Sequence, residues 1–293
     1  MQNVFTLLLF VAMVFWGLSW PLSKILSATH SAYIIAFGRF GLVALCLLPL
    51  LFYFKISLKI PKKNIPIMII NAISNASYSL VFFYALKLGN AGSAGVITTT
   101  LSPIIATFLA VIIFGNKLSK REIFGLLLGL MGGFFLLNLV SLQSLLNPFN
   151  LFFIFCAFLW ACVSLSARKL SSNTNPLLIN FYSSFISALM FIPFIKLGDL
   201  EIFRQVDSLC FLLIIAILST VFGTTIYYKG IEVLGIIKSG AFTLLVPFFA
   251  LILSYFILDE IPSFSTIFGG ILAISAIYFI SFYNKKHFAF FKI

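Results

Sequence analysis

The sequence predicts an all-α integral membrane protein, with ten transmembrane helices arranged as two inverted five-helix repeats, residues 1–144 and 145–293. Three observations predict it. Of the 293 residues, 62% are hydrophobic and 9% charged, against roughly 45–50% and about 25% in a soluble domain. The apolar residues fall into runs of about 20, the length that crosses a bilayer core as a helix. The chain also aligns with itself at one constant register, in which Trp16 falls on Trp160 and Pro103 on Pro247.

Taken in order, the predicted spans are Val4–Leu26, Ala32–Phe54, Pro66–Leu88, Ala91–Phe114 and Glu122–Val140, then Pro148–Arg168, Pro176–Lys196, Ser208–Gly230, Lys238–Leu258 and Ser263–Tyr283. The first run has no Lys or Arg before it, so it reads as an uncleaved helix and not as a secretory signal. Pro66, Pro148 and Pro176 suit a first helical turn, where a missing N–H does no harm. Ser119 and Ser263 stand where they can cap the fifth and tenth spans. No stretch between spans is long and polar enough to form an extramembrane domain.

Charge gives an orientation. The net charge is +12, which in a soluble protein would suggest nucleic acid, but here the basic residues lie in the breaks between apolar runs. With the N-terminus inside, the inner breaks and tail hold Lys55, Lys59, Lys62, Lys63, Lys117, Lys120, Arg121, Arg168, Lys169, Lys229, Lys238, Lys285, Lys286 and Lys292. The outer ones hold only Lys24, Lys87, Lys196 and Arg204, and the loop Ser141–Asn147 is uncharged. This bias puts both termini in the cytoplasm of an inner-membrane protein and leaves no nucleic-acid partner to expect. Cys46, Cys156, Cys162 and Cys210 sit inside apolar runs without metal-like spacing, so neither disulfide nor zinc is expected.

The internal register also brings Lys24 onto Arg168, Phe37 onto Phe181, Pro49 onto Pro193, Tyr84 onto Tyr228 and Gly125 onto Gly269. Five helices per copy is an odd number, so the second copy enters the membrane from the opposite side. Inverted repeats of this kind bind substrate between their halves near the midplane.

Phe15-Trp16-Gly17, the segment Thr98-Thr99-Thr100-Leu101-Ser102-Pro103, and their counterparts Leu159-Trp160-Ala161 and Leu244-Leu245-Val246-Pro247 resemble the drug/metabolite transporter superfamily, in its EamA-type branch. Leu258-Asp259-Glu260 followed by Gly269 and Gly270 fits as well. The resemblance covers essentially the whole chain and implies a small-molecule carrier, with export favoured. Two departures make the halves unequal: Glu260 has Asn116 as its counterpart, and Gly17 has Ala161.

The candidate substrate-binding residues are polar or aromatic groups inside spans. Asn71, Ser74, Asn75 and Tyr78 share one helical face, which turns either to a cavity or to a neighbouring helix. Thr224 and Tyr227 follow in the eighth span, beside Thr220, Gly223 and Tyr228, the last near enough to a helix end for an interfacial belt. Trp16 and Trp160 lie too deep for a belt, as cavity wall or packing, and Trp20 stands a further turn along from Trp16. Arg39 is the one basic residue well inside a span. It faces a cavity where it can attract a carboxylate, or pairs, or snorkels outward. Asn180 and Tyr182 are the polar groups of the seventh span, and Thr99 comes from the segment that carries the resemblance. Pro103 and Pro247 are candidate hinges, because each removes a backbone hydrogen bond. Gly125, Gly129 and Gly133 form a small-residue ladder for a seam within the chain or between two copies, so monomer and homodimer both stay open.

No acidic residue lies mid-span, so no carboxylate proton relay is visible. No His-Glu-x-x-His or Asp-rich motif is present, and the two histidines, His30 and His287, lie in a loop and the tail. An enzyme and any cofactor or metal are not expected, and a channel is a lower alternative. The expected partners are the lipid bilayer and a small metabolite: an amino acid or related amphipathic compound, with uptake of a cation such as S-adenosylmethionine or choline as the second choice.

Overall fold

A computed structural model describes residues 2–115, 118–136, 147–261 and 264–282. Asn116, Lys117, Ser263, nearly all of the predicted outer loop Ser141–Asn147 and the tail with Lys285, Lys286, His287 and Lys292 lie outside the described residues. The long helices are α1 (Gln2–Thr29), α2 (Ala32–Tyr53), α3 (Ile65–Ala85), α4 (Ala91–Phe114), α5 (Lys120–Leu136), α6 (Pro148–Leu170) and α7 (Pro176–Phe191). They are followed by α8 (Val206–Leu234), α9 (Ile236–Leu258) and α10, which runs from Phe264–Ile277 into a π-helical end, Tyr278–Phe282. Among the described residues, eight helices are long and apolar enough to cross a bilayer, α1 to α4 and α6 to α9.

Local chemistry sets many of the boundaries. Pro66, Pro148 and Pro176 stand in first turns as expected. Asn147 and Asn175 cap α6 and α7 by accepting from Phe149 N and Leu177 N at 3.2 and 2.9 Å, a cap not anticipated in the sequence. Ser119 and Glu122 form a reciprocal capping box on α5: Ser119 Oγ accepts from Glu122 N, and the Glu122 carboxylate accepts from Ser119 N. The seventh helix stops short of the expected Lys196. It becomes 3-10 at Ile192–Phe194, where Pro193 cannot continue the α ladder.

Contacts between the connections gather them at two ends. At one, Lys24 Nζ donates to the carbonyls of Leu86 and Gly89, His30 Nε2 meets Ser208 Oγ at 2.9 Å, and the Glu260 carboxylate accepts from Ala91 N and Gly92 N. At the other, Asn64 Nδ2 donates to Thr174 Oγ1, Tyr182 OH to Leu58 O and Arg168 to Ile231 O. Within α1 to α4, and again within α6 to α10, successive helices therefore run in opposite directions.

The packing pairs helices across the chain. α1 lies against α9 and α8, while α6 lies against α4 and α3, and α5 packs along α10. The glycine ladder is spent inside the chain: Gly125 lies against Ile280 and Ala276, Gly129 against Leu244, and Gly133 against Thr100. Large apolar side chains such as Leu45, Phe108, Phe155 and Phe256 are exposed around the outside, a surface that a bilayer covers and water does not.

Candidate functional site

Seven helices line a small central cavity that opens to the outside. α1 contributes Trp16, Ser19 and Trp20, α2 Arg39, α3 Tyr78 and Phe82, and α4 Thr98 and Thr99. α6 supplies Trp160, α8 Ser219, and α9 Thr243 and Val246. All three tryptophans of the chain therefore stand in one wall.

The aromatic groups form one assembly. Trp16 and Trp160 meet edge to face with centroids 5.1 Å apart, and Tyr78 leans on Trp160 at 5.1 Å. Trp20 packs against Phe82 at 4.8 Å. Such pairs prefer offset or edge-on geometry because each ring has a negative face and a positive rim. Tyr227 backs the assembly, 5.1 Å from Trp16 and 6.0 Å from Trp160, with its hydroxyl 3.0 Å from Ser164 Oγ.

The backbone of α8 anchors this wall. From Ile215 to Thr224 it is a π-helix, whose wider turn redirects carbonyls. Ser219 O accepts from Trp16 Nε1 at 2.8 Å, and Thr220 O accepts from Asn180 Nδ2 at 2.8 Å. Gly223 permits the close approach: a Cβ there would stand 2.7 Å from Trp16 Nε1.

Arg39 is 9% exposed and does not snorkel. Its Nε donates to Thr220 Oγ1 at 2.9 Å, and its Cζ lies 5.7 Å from the Phe40 ring centre, within cation–π reach. The titratable groups close enough to act on it are Tyr78 and Tyr228. The seven acidic residues of the chain are Glu122, Asp199, Glu201, Asp207, Glu232, Asp259 and Glu260, and none of them lines the cavity.

Each of the two prolines follows a cavity-lining threonine, Thr99 or Thr243, by four residues. Pro103 lacks the N–H that would bond Thr99 O four residues earlier, and this carbonyl lies 3.3 Å from Thr243 Oγ1, whose proton it shares with Gly240 O at 2.7 Å. Pro247 likewise cannot serve Thr243 O, and a 3-10 turn, Thr243–Leu245, lets Val246 N reach it instead.

Of the predicted residues, the structure brings Trp16, Trp20, Arg39, Tyr78, Thr99 and Trp160 together on the cavity, with Tyr227 behind them. The others are placed between helices. Asn71 Nδ2 donates to Val163 O and Ser166 Oγ, and Asn75 Nδ2 to Ser183 Oγ. Ser74 is buried, Asn180 ties α7 to Thr220 and Thr225, and Thr224 bonds back to Ser219 O. Tyr182 sits at the far end, on Leu58 O. Tyr228 is fully buried, not part of an interfacial belt, because α8 continues past Gly230 to Leu234 and places it inside the bundle. Sequence reasoning missed Ser19, Phe82, Thr98, Ser219, Thr243 and Val246. Thr98 and Val246 stand in the segments that carry the family resemblance, and Thr243 is the repeat counterpart of Thr99; the other three left no signal.

Comparison with known proteins gives the class. The sequence profile of the EamA-like transporter family matches residues 4–138 and again 148–282. The chain belongs to that family; it is a transporter, not an enzyme, and a multi-pass membrane protein. An uncharacterized transporter of Archaeoglobus fulgidus is 23% identical over 287 residues, 96% of this chain and 98% of its own length. An S-adenosylmethionine uptake transporter of Rickettsia bellii is 25% identical, over 90% of this chain and 89% of its own. A solved crystal structure shares the fold with a TM-score of 0.71 at 18% identity, over 94% of this chain and 96% of that one.

Proposed function

We propose that the protein is a secondary transporter that moves an amino acid, or a related small amphipathic metabolite, across the inner membrane by alternating access, in the direction of export. Ten spans in two inverted repeats, with both termini in the cytoplasm, form the framework. The double family match supports it, since its two segments begin at residues 4 and 148, the register in which Trp16 falls on Trp160. So does the packing, in which α1 on α9 is mirrored by α6 on α4.

One observation carries the reading. Residues related by that register touch one another on the cavity: Trp16 with Trp160, and Thr243 Oγ1 with Thr99 O. A pocket on such an axis lies between the halves, where a rocking motion exposes it to each side in turn. The rings offer an apolar body a fitting wall, and Arg39 with the threonines offers polar ends. We assign substrate contact to Trp16, Trp20, Arg39, Tyr78, Thr99 and Trp160, hinge roles to Pro103 and Pro247, and helix packing to Asn71, Ser74, Asn75, Asn180, Tyr182 and Thr224.

Uptake of a cation such as S-adenosylmethionine is the second reading, favoured by the name of the Rickettsia relative and by the aromatic wall, which suits cations. Counterflow in proteoliposomes, with labelled amino acids against S-adenosylmethionine and choline, tests both. Exchange of an amino acid that Trp160→Ala and Tyr78→Ala slow by tenfold or more supports the assignment. Exchange unchanged by both variants refutes the site.

A further inference from the structure

We infer that the cavity takes its substrate as a net anion, a monocarboxylate with an aromatic or branched body, and that the membrane potential alone drives this anion out of the cell. The inference rests on the transport reading of the same cavity; within that reading it replaces the zwitterionic amino acid by a related metabolite that has a carboxylate and no ammonium, and adds a driving force.

The observation is an unbalanced charge. Arg39 is nine-tenths buried and lines the cavity. Its Nε is occupied by Thr220 Oγ1, and its two Nη groups have no hydrogen-bond partner among the described residues. A guanidinium presents its donors as a planar fork that fits the two oxygens of a carboxylate. A buried cation without a counter-ion is costly, and a carboxylate substrate supplies one on binding.

The remaining lining groups offer nothing equivalent to a substrate cation. Thr98, Thr99, Thr243 and Ser19 each give their hydroxyl proton to a backbone carbonyl, which leaves their oxygens as neutral acceptors with no charge to offset Arg39, and Ser219 O is taken by Trp16. The aromatic wall alone would attract an ammonium. Arg39 shares the same small cavity, however, so a cation meets like charge there with no carboxylate to offset it. The rings then serve the apolar body, and the fixed charge selects the head.

Direction follows from sign. A pocket that stays near the midplane while its two ends open in turn leaves Arg39 in place, so each cycle moves only the charge of the substrate. A membrane negative inside pushes an anion outward whichever way the protein is inserted. This suits a chain with no acidic residue on the cavity to bind a coupling proton.

The test uses the full chain in proteoliposomes, with valinomycin and a potassium gradient setting the potential. The probes are labelled phenylpyruvate and 4-methyl-2-oxopentanoate as anions, phenylalanine as zwitterion and S-adenosylmethionine as cation. At least one anion should accumulate when the lumen is positive, towards a ratio of about 50-fold at 100 mV, and leave when the polarity is reversed. Arg39→Gln should slow it at least tenfold and Arg39→Lys less, with both variants unfolding near the wild-type temperature. Movement of phenylalanine or S-adenosylmethionine but of neither anion overturns the inference and leaves a transporter. Anion movement blind to the potential, or a wild-type rate in Arg39→Gln, also overturns it. If none of the probes moves, the transport reading falls as well.

Discussion

Pro103 and Pro247 occupy matching places in α4 and α9, and each frees the carbonyl of a threonine four residues earlier. The two repairs differ. In α4 the helix continues through the proline, and the freed Thr99 carbonyl turns outward to the Thr243 hydroxyl of α9 at 3.3 Å, a donor it shares with the nearer Gly240 carbonyl at 2.7 Å. In α9 the helix tightens into a 3-10 turn and satisfies Thr243 O from within. The same sequence device thus gives one break that depends on the opposite helix and one that is self-contained.

Breaking the dependent repair should have the largest effect. Thr243→Val keeps the shape of the side chain but removes the one donor shared by the buried Thr99 and Gly240 carbonyls, and should cost about 1–3 kcal/mol in unfolding assays. Gly223→Ala comes next. Its Cβ would displace Trp16 from Ser219 O, and loss of that bond, about 1 kcal/mol, should weaken substrate binding roughly fivefold in a titration. Gly240→Ala should cost about 1 kcal/mol or less, because its Cβ would stand 3.3 Å from Pro103 Cβ and the contact can yield by a few tenths of an ångström. Thr99→Val should cost least, about 0.5 kcal/mol, since its hydroxyl serves only its own helix at Gly95 O. Equal costs for Thr243→Val and Thr99→Val would erase the distinction between the two repairs.

Much of this was legible because the bilayer leaves few choices. Runs of apolar residues fix where helices lie, and of the rare residues that share the constant register, Trp16 and Trp160 meet on the cavity. Arg39 was identifiable because a buried guanidinium in an apolar span needs a reason. The direction of a polar face was not legible. Asn71 and Asn75 share a face with Tyr78, yet one turn separates amides bonded to α6 and α7 from a ring on the cavity. Periodicity says that a stripe avoids lipid, and says nothing about which neighbour it meets. The π-helix of α8 was hidden for another reason. It widens the turn and shifts the facing of each residue, and Ser219 acts through a backbone carbonyl that its residue type does not announce.

Intrinsic fluorescence is the most direct probe, because Trp16, Trp20 and Trp160 all line the cavity and are the only tryptophans in the chain. Titrating purified protein with a transported substrate should change the emission saturably, with a midpoint close to the half-saturation of transport. A substrate that saturates transport and leaves the emission unchanged would contradict the placement of its site among these rings.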